Sequence, residues 1–75
     1  MQNLQHVTAL ITREGQLYVA LCPDYDVASQ GSSVEEAKDN LLEALGLFFE
    51  TASPSEIERR SRNEFYITQL DVAVE

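Results

Sequence analysis

The sequence has very few residues that could cross-link a small fold or hold a metal. Its 75 residues include one cysteine, Cys22, and one histidine, His6. A lone cysteine excludes an internal disulfide, and this pair excludes the usual zinc clusters built from several histidines and cysteines. A chain of this length forms a single domain, residues 1–75, and buries only about 60–65% of the surface that its unfolded form exposes. Small folds without such devices are commonly stabilised by a partner subunit, so we expect a homo-oligomer, either a dimer or a tetramer.

Basic residues are scarce as well. Five lysines and arginines stand against 13 acidic residues, which gives a formal net charge of −8. Binding to nucleic-acid phosphates requires Lys and Arg, so this balance disfavours sequence-independent binding, and we expect no direct DNA binding. The acidic excess suits a basic protein partner, or simply a solvated acidic surface.

Long apolar runs are missing too. No stretch approaches the roughly 20 apolar residues that a membrane span requires. The pattern of a signal peptide, a basic start followed by an apolar run, does not occur either. We therefore expect a cytoplasmic protein with no membrane contact.

The first third of the chain has the pattern of a β-hairpin. Residues 4–12 (LQHVTALIT) are rich in aliphatic and β-branched residues and predict a strand. Gly15 can adopt the positive φ of a tight turn, and Leu17–Cys22 (LYVALC) predicts the second strand.

A third short strand follows the hairpin. Pro23 ends the second strand because proline lacks a backbone donor. Residues 24–26 (DYD) predict a turn, and residues 27–30 predict a strand that Gly31 terminates.

The middle of the chain has the pattern of a long amphipathic helix. Ser33 predicts the N-cap, and Glu36 three residues later predicts a capping box. The apolar residues that follow recur at helical spacing and predict one apolar helix face, at positions 34, 37, 41, 44, 45, 48 and 52. A second start signal at residues 53–56 (SPSE) predicts a short helix, and residues 64–74 (EFYITQLDVAV) predict a return strand.

The predicted fold is therefore α+β. A small antiparallel sheet of three to four strands carries one long helix on one face, in the order β-β-β-α-(short α)-β. One helix covers only one face of a sheet, yet the predicted strands are apolar on both faces, so we expect a second chain to cover the other face. We assign Leu4, Leu10 and Tyr18 to one side and Val7, Ile11, Val19 and Leu21 to the other, with Phe65 and Ile67 opposite Tyr66, Leu70 and Val72. The residues predicted for self-association are Leu10, Tyr18, Phe48, Phe49, Phe65 and Ile67.

Catalytic patterns are absent. A two-metal nuclease needs carboxylates that converge on a cavity, whereas placement at a helix start and solvation explain the helix acids better. His6 has no neighbour in sequence that would orient it, and Cys22 has no nearby cation that would lower its pKa. Phosphate loops, dinucleotide fingerprints and nucleophile elbows do not occur. We predict no enzymatic activity and no cofactor.

A cluster of three arginines is the remaining candidate for a nucleic-acid contact. Arg59, Arg60 and Arg62 supply three of the five basic residues. Arginines in an acidic chain more often pair with its own carboxylates, and we favour that interpretation.

The central stretch resembles a known family. Residues 27–37 (VASQGSSVEEA), continued by Asn40-Leu41, Glu43-Ala44, Leu47 and Glu50, are similar to the HicB-like antitoxins. The resemblance implies a ββ(β)αβ domain like a truncated ribonuclease H fold without its active site. Many family members append a helix-turn-helix or ribbon-helix-helix segment that binds operator DNA, whereas we expect a short HicB N-terminal-type domain without one. The resemblance also implies an oligomer that neutralises a HicA toxin, a small basic RNA-cleaving protein.

One departure concerns the loop after Pro23, where many family members carry a Leu-Pro-Gly-Cys run and this chain has a shorter Tyr-Asp-Val-Ala variant. The expected function is binding and neutralisation of a HicA-type toxin by protein–protein contact. The alternative is an orphan oligomeric module of the same type that binds another protein or a small ligand. The residues predicted to contact the partner are Asp24, Tyr25, Asp26, Glu35, Glu36 and Asp39.

Overall fold

The computed structural model describes residues 4–75, and these form an α+β fold with one antiparallel sheet and two helices. The three strands lie in the order β1-β2-β3, each antiparallel to its neighbour. This confirms the predicted class and the predicted order of three strands, long helix and short helix. The elements are β1 (Leu10–Glu14), β2 (Leu17–Cys22), β3 (Val27–Gly31), α1 (Val34–Thr51) and α2 (Pro54–Ser61).

Each turn between the strands contains one residue with a left-handed backbone conformation. Gly15 adopts φ 63° between β1 and β2, as the sequence predicts. Asp26 adopts φ 56° between β2 and β3. Aspartate is among the few residues with a side chain that enter this region readily.

Both helices begin with the predicted serine caps. The backbone amide of Glu36 donates to Oγ of Ser33 at 3.0 Å, and the Glu36 carboxylate accepts from the amide of Ser32 at 3.0 Å. In α2 the amide of Glu56 donates to Oγ of Ser53 at 3.2 Å. The bonds to Ser33 and Ser53 satisfy helix amides that have no partner within the helix. The Glu36 carboxylate binds Ser32, one residue before the cap, and not the Ser33 amide that the predicted capping box requires.

Gly31 brings the end of β3 into close contact with the first turn of α1. A Cβ atom at this position would lie 2.5 Å from the backbone nitrogen of Ala37. Only glycine allows this approach, which holds the start of α1 against the sheet.

The core is small and lies between α1 and the sheet. Its five buried residues are Ala20, Cys22, Ala37, Leu41 and Leu45. Three of them have small side chains, so helix and sheet approach closely, and five partly buried side chains surround them. These are Val7, Ile11, Tyr18, Tyr25 and Val27.

The strand register corrects the predicted sheet faces. Leu10 pairs with Leu21, and Ile11 pairs with Ala20. Paired residues share a face, so Ile11 and Tyr18 lie on the helix side with the buried Ala20. The predictions that Tyr18 shares a face with Leu10, and that Val19 and Leu21 share a face with Ile11, were therefore wrong. The face away from α1 carries Leu10, Leu17, Val19, Leu21 and Ala28.

The N-terminal strand starts later than the sequence predicts. β1 begins at Leu10, and residues 4–9 are outside the ladder. The backbone amide of Thr8 donates instead to Oδ1 of Asp24 at 2.9 Å. This bond draws the segment toward the turn between β2 and β3.

The predicted last strand is not part of the sheet. Residues 64–75 pair with none of the three strands, and residues 66–75 are all exposed. The segment begins beside the turn between β2 and β3. There, Nδ2 of Asn63, which follows α2, donates to the carbonyl of Pro23 at 2.7 Å. The radius of gyration is 14.8 Å, against about 11 Å for a compact chain of this length.

Candidate functional site

The outer face of α1 carries a row of acidic side chains. At about 100° per residue they fall within a sector of about 100°, opposite the buried Ala37, Leu41 and Leu45. The row extends over about 22 Å of helix at 1.5 Å per residue. Its five members, all exposed, are Glu35, Glu36, Asp39, Glu43 and Glu50. We call this row the acidic face.

Two members of the acidic face also have local partners. Glu35 forms an ion pair with Lys38 at 3.3 Å, and Glu36 accepts from Ser32 in the cap. Among residues 4–75 no hydrogen bond or ion pair involves the carboxylates of Asp39, Glu43 and Glu50. These three are therefore available to an incoming cation.

Three of the six residues predicted to contact a partner, those of the turn at 24–26, lie near the C-terminal end of α1, away from Glu35, Glu36 and Asp39 at its start. Tyr25 packs on Phe48 and Phe49 near the end of the helix, with ring centroids 5.8 and 4.8 Å apart respectively. Asp24 binds the Thr8 amide. An 18-residue helix is about 27 Å long, so the six predicted residues form two separate groups.

The three predicted residues in the turn between β2 and β3, Asp24, Tyr25 and Asp26, have largely structural roles. The carbonyl of Tyr25 accepts from Nη1 of Arg60 at 2.8 Å, and the Arg60 guanidinium lies over Phe48 at 4.9 Å from the ring centroid. Asp24 is half-buried and also accepts from Sγ of Cys22 at 3.4 Å. Only Asp26 in this turn is exposed.

The residues predicted for self-association do not lie on one surface either. Leu10 is exposed on the sheet face away from α1, and Ile67 is exposed in the C-terminal segment, where Phe65 is half-buried. Phe48 and Phe49 contact each other at 5.5 Å between centroids and pack with Tyr25 in the same chain. Tyr18 packs against the core on the helix side.

The two arginines of α2 and the arginine at its C-cap pair with acids of the same helix. Arg60 binds Glu56 at 2.8 Å, Arg62 binds Glu58 at 2.7 Å, and Arg59 also contacts Glu56. The hydrogen bond from Arg60 lowers the pKa of the Glu56 carboxyl. Pairing offsets the positive charge locally, so α2 does not reduce the negative charge of α1.

The cysteine and the histidine occupy different environments. Cys22 is fully buried, and burial raises the pKa of its thiol. His6 is exposed. Across residues 4–75, no three His, Cys, Asp or Glu side chains come close enough to bind one metal ion. No helix in this part of the chain is both long and apolar enough to cross a membrane.

Sequence reasoning named three members of the acidic face and missed Glu43 and Glu50. Both lie at helical spacing from Asp39, and a projection of residues 34–51 at 100° per residue would have found them. Searches against protein-family models, curated proteins and solved structures found no match to this chain.

Proposed function

We propose that this chain is a non-catalytic, HicB-like antitoxin module that binds and neutralises a small basic RNA-cleaving protein of the HicA type. The acidic face of α1 is the observation that carries the proposal. Five carboxylates on one exposed helix face form an extended anionic surface that complements a basic protein.

The charge distribution supports a protein partner of opposite sign. The net charge is −8, and four of the five basic residues form ion pairs with acids of α1 or α2. A field of this kind attracts cations and repels the phosphates of nucleic acids. The partner is therefore a basic protein, and the antitoxin would act by covering the surface with which that partner binds RNA.

The resemblance of residues 27–37 supplies the specific partner class, and the fold is compatible with it. The SQG segment ends β3, and the following serines and glutamates begin α1. These residues therefore place the start of the acidic face directly after the sheet. Gly31 fixes that placement through its contact with Ala37.

The test is inhibition of RNA cleavage by a purified HicA-type toxin. We expect the full chain to suppress cleavage at a defined stoichiometry, and Glu43→Lys with Glu50→Lys to weaken binding at least about tenfold. Added salt should weaken the wild-type complex because exposed charges are screened. Unchanged RNA cleavage at saturating chain would refute the proposal.

A matched control separates the helix face from net charge. Glu14→Lys reverses an exposed carboxylate at the end of β1, away from α1. It changes net charge as much as Glu43→Lys alone, so a face-specific contact predicts a clearly smaller loss of affinity for Glu14→Lys than for that single variant. Equal losses from both variants would show that only overall charge matters.

An orphan oligomeric module is the second candidate. The uncovered apolar sheet face, with Leu10 and Leu17 at 40% and 43% exposure, favours this alternative because it points to self-association without requiring a toxin. A defined homo-oligomer that leaves RNA cleavage by HicA-type toxins unchanged would support it over the antitoxin function.

A further inference from the structure

The C-terminal segment, residues 64–74, is an apolar stretch with almost no contact to the rest of its own chain. The exposed fractions are 83% for Tyr66, 58% for Ile67, 81% for Leu70, 76% for Val72 and 87% for Val74. Isolated exposed apolar residues are common, but five within nine positions are unusual on a folded monomer.

The segment has the composition of a strand. Tyr, Ile, Thr and Val favour extended backbone, and alternation places Tyr66, Leu70, Val72 and Val74 on one face. A strand is stable only beside another strand that accepts its hydrogen bonds. This segment has the pattern of a strand but no neighbouring strand in its own sheet.

The sheet has two edge strands, β1 and β3, and the edge of β1 is the more open of the two. On β3, the carbonyl of Gln30 already accepts from Nδ2 of Asn40 at 2.8 Å, and α1 packs mainly against this strand. Within residues 4–75, β1 has β2 as its only neighbour, so its outer edge has no strand beside it. An open edge is a template for an added strand.

The chain exposes more surface than an interface between two copies requires. The chain exposes 6343 Å², against about 4,600 Å² for a compact protein of 8.4 kDa. The excess of about 1,700 Å² per chain exceeds the roughly 800 Å² that each partner buries in a standard interface. Since each chain has both an unpaired strand and an open edge, two copies can satisfy each other in a closed dimer.

We propose that residues 64–74 of one copy pair as a strand with the outer edge of β1 in a second copy, and that the exchange is reciprocal. Leu70 and Val72 then lie beside Leu10 and extend the sheet face away from α1, while Asp71 lies on the helix side with Arg13. Arg13 is the one basic residue in the three strands, and all charged residues of the segment are acidic. This assignment does not depend on the antitoxin function.

The first test measures mass by light scattering over a range of protein concentrations. We expect the wild type to have twice the 8.4 kDa chain mass, and Leu70→Asp to raise the dimer dissociation constant at least tenfold. Leu47→Asp is the matched control, because Leu47 is a 60% exposed leucine on α1 outside the proposed contact, and it should remain dimeric. A monomeric wild type, or a Leu70→Asp chain as dimeric as wild type, would overturn the proposal.

The second test distinguishes exchange between chains from back-folding within one chain. A spin label on Gln69→Cys can be attached selectively because Cys22 is buried. Mixing labelled chains with isotope-enriched unlabelled chains should broaden the amide signals of β1 in the unlabelled copy. Broadening of β1 only when label and isotope are in the same chain would show back-folding and overturn the exchange.

Discussion

Replacing Gly31 with alanine tests whether the close approach between β3 and α1 holds the fold together. The added Cβ would lie 2.5 Å from the Ala37 nitrogen, 2.8 Å from the Glu36 carbonyl carbon and 2.9 Å from Glu36 Cβ. Two of these are backbone atoms in the first turn of α1, so a rotamer change cannot relieve the clash. The helix start must move away from the sheet, which strains the cap and opens the core beside Ala37.

The magnitude follows from these two effects. Overpacking against a fixed backbone costs about 1–3 kcal/mol, and loss of the serine cap adds about 1 kcal/mol. A domain of this length has a total unfolding free energy of about 4–11 kcal/mol. Gly31→Ala should therefore remove about 2–4 kcal/mol, a large share of the total.

Urea unfolding followed by circular dichroism measures this loss, and Gly46→Ala is the matched control. Gly46 lies within α1 with no atom within 4 Å of an added Cβ. Alanine there should stabilise the fold by about 1 kcal/mol through helix propensity. With a slope of about 1 kcal/mol per molar urea, the two midpoints should move in opposite directions by about 1 M or more. An unchanged or raised midpoint for Gly31→Ala would refute the close-approach argument.

Three further predictions concern caps and titratable groups. Ser33→Ala should lower the unfolding free energy by about 1 kcal/mol in the same urea assay, because the Glu36 amide loses its acceptor, and no change would show that water replaces the cap. The pKa of Glu56 is lowered in the folded chain, so its contribution to stability is present above the unfolded pKa and is lost as pH falls through the folded one. Arg60→Gln should move the Glu56 titration upward in an NMR pH series, and an unmoved titration would contradict the assignment to Arg60. Cys22 should react slowly with a thiol reagent in the native state and rapidly in urea, because it is buried and its pKa is raised; equal rates would show that the core opens.

The elements that the sequence predicts well are those encoded by neighbouring residues. The start of α1 depends on Ser33 and Glu36, three positions apart, and the start of α2 depends on Ser53, Pro54 and Glu56. Capping groups act within one turn, so a short sequence window contains all the interacting partners. Both helices accordingly begin where these signals place them.

The features that the sequence does not predict depend on contacts between distant residues. Which β1 residue faces the helix depends on the hairpin register, and Glu14 pairs with Leu17 so that odd positions in β1 meet even positions in β2. A shift of one residue exchanges the faces, which is why Tyr18 was assigned to the wrong side. The late start of the first strand similarly reflects a bond from Thr8 to Asp24, 16 residues away.

The C-terminal segment shows the same limit more strongly, because strand propensity specifies a conformation but not a partner. Residues 64–74 have a strand pattern, yet after the contact between Asn63 and Pro23 the chain pairs with none of the three strands. The acidic face lies on the outer surface of the helix layer, whereas the apolar face and the edge of β1 belong to the sheet layer beneath it. The proposed binding of a basic partner and the proposed association of two copies therefore use separate surfaces. Glu43→Lys should weaken partner binding and leave the dimer mass unchanged. Leu70→Asp should weaken the dimer and leave the acidic face intact. The two proposals therefore fail independently.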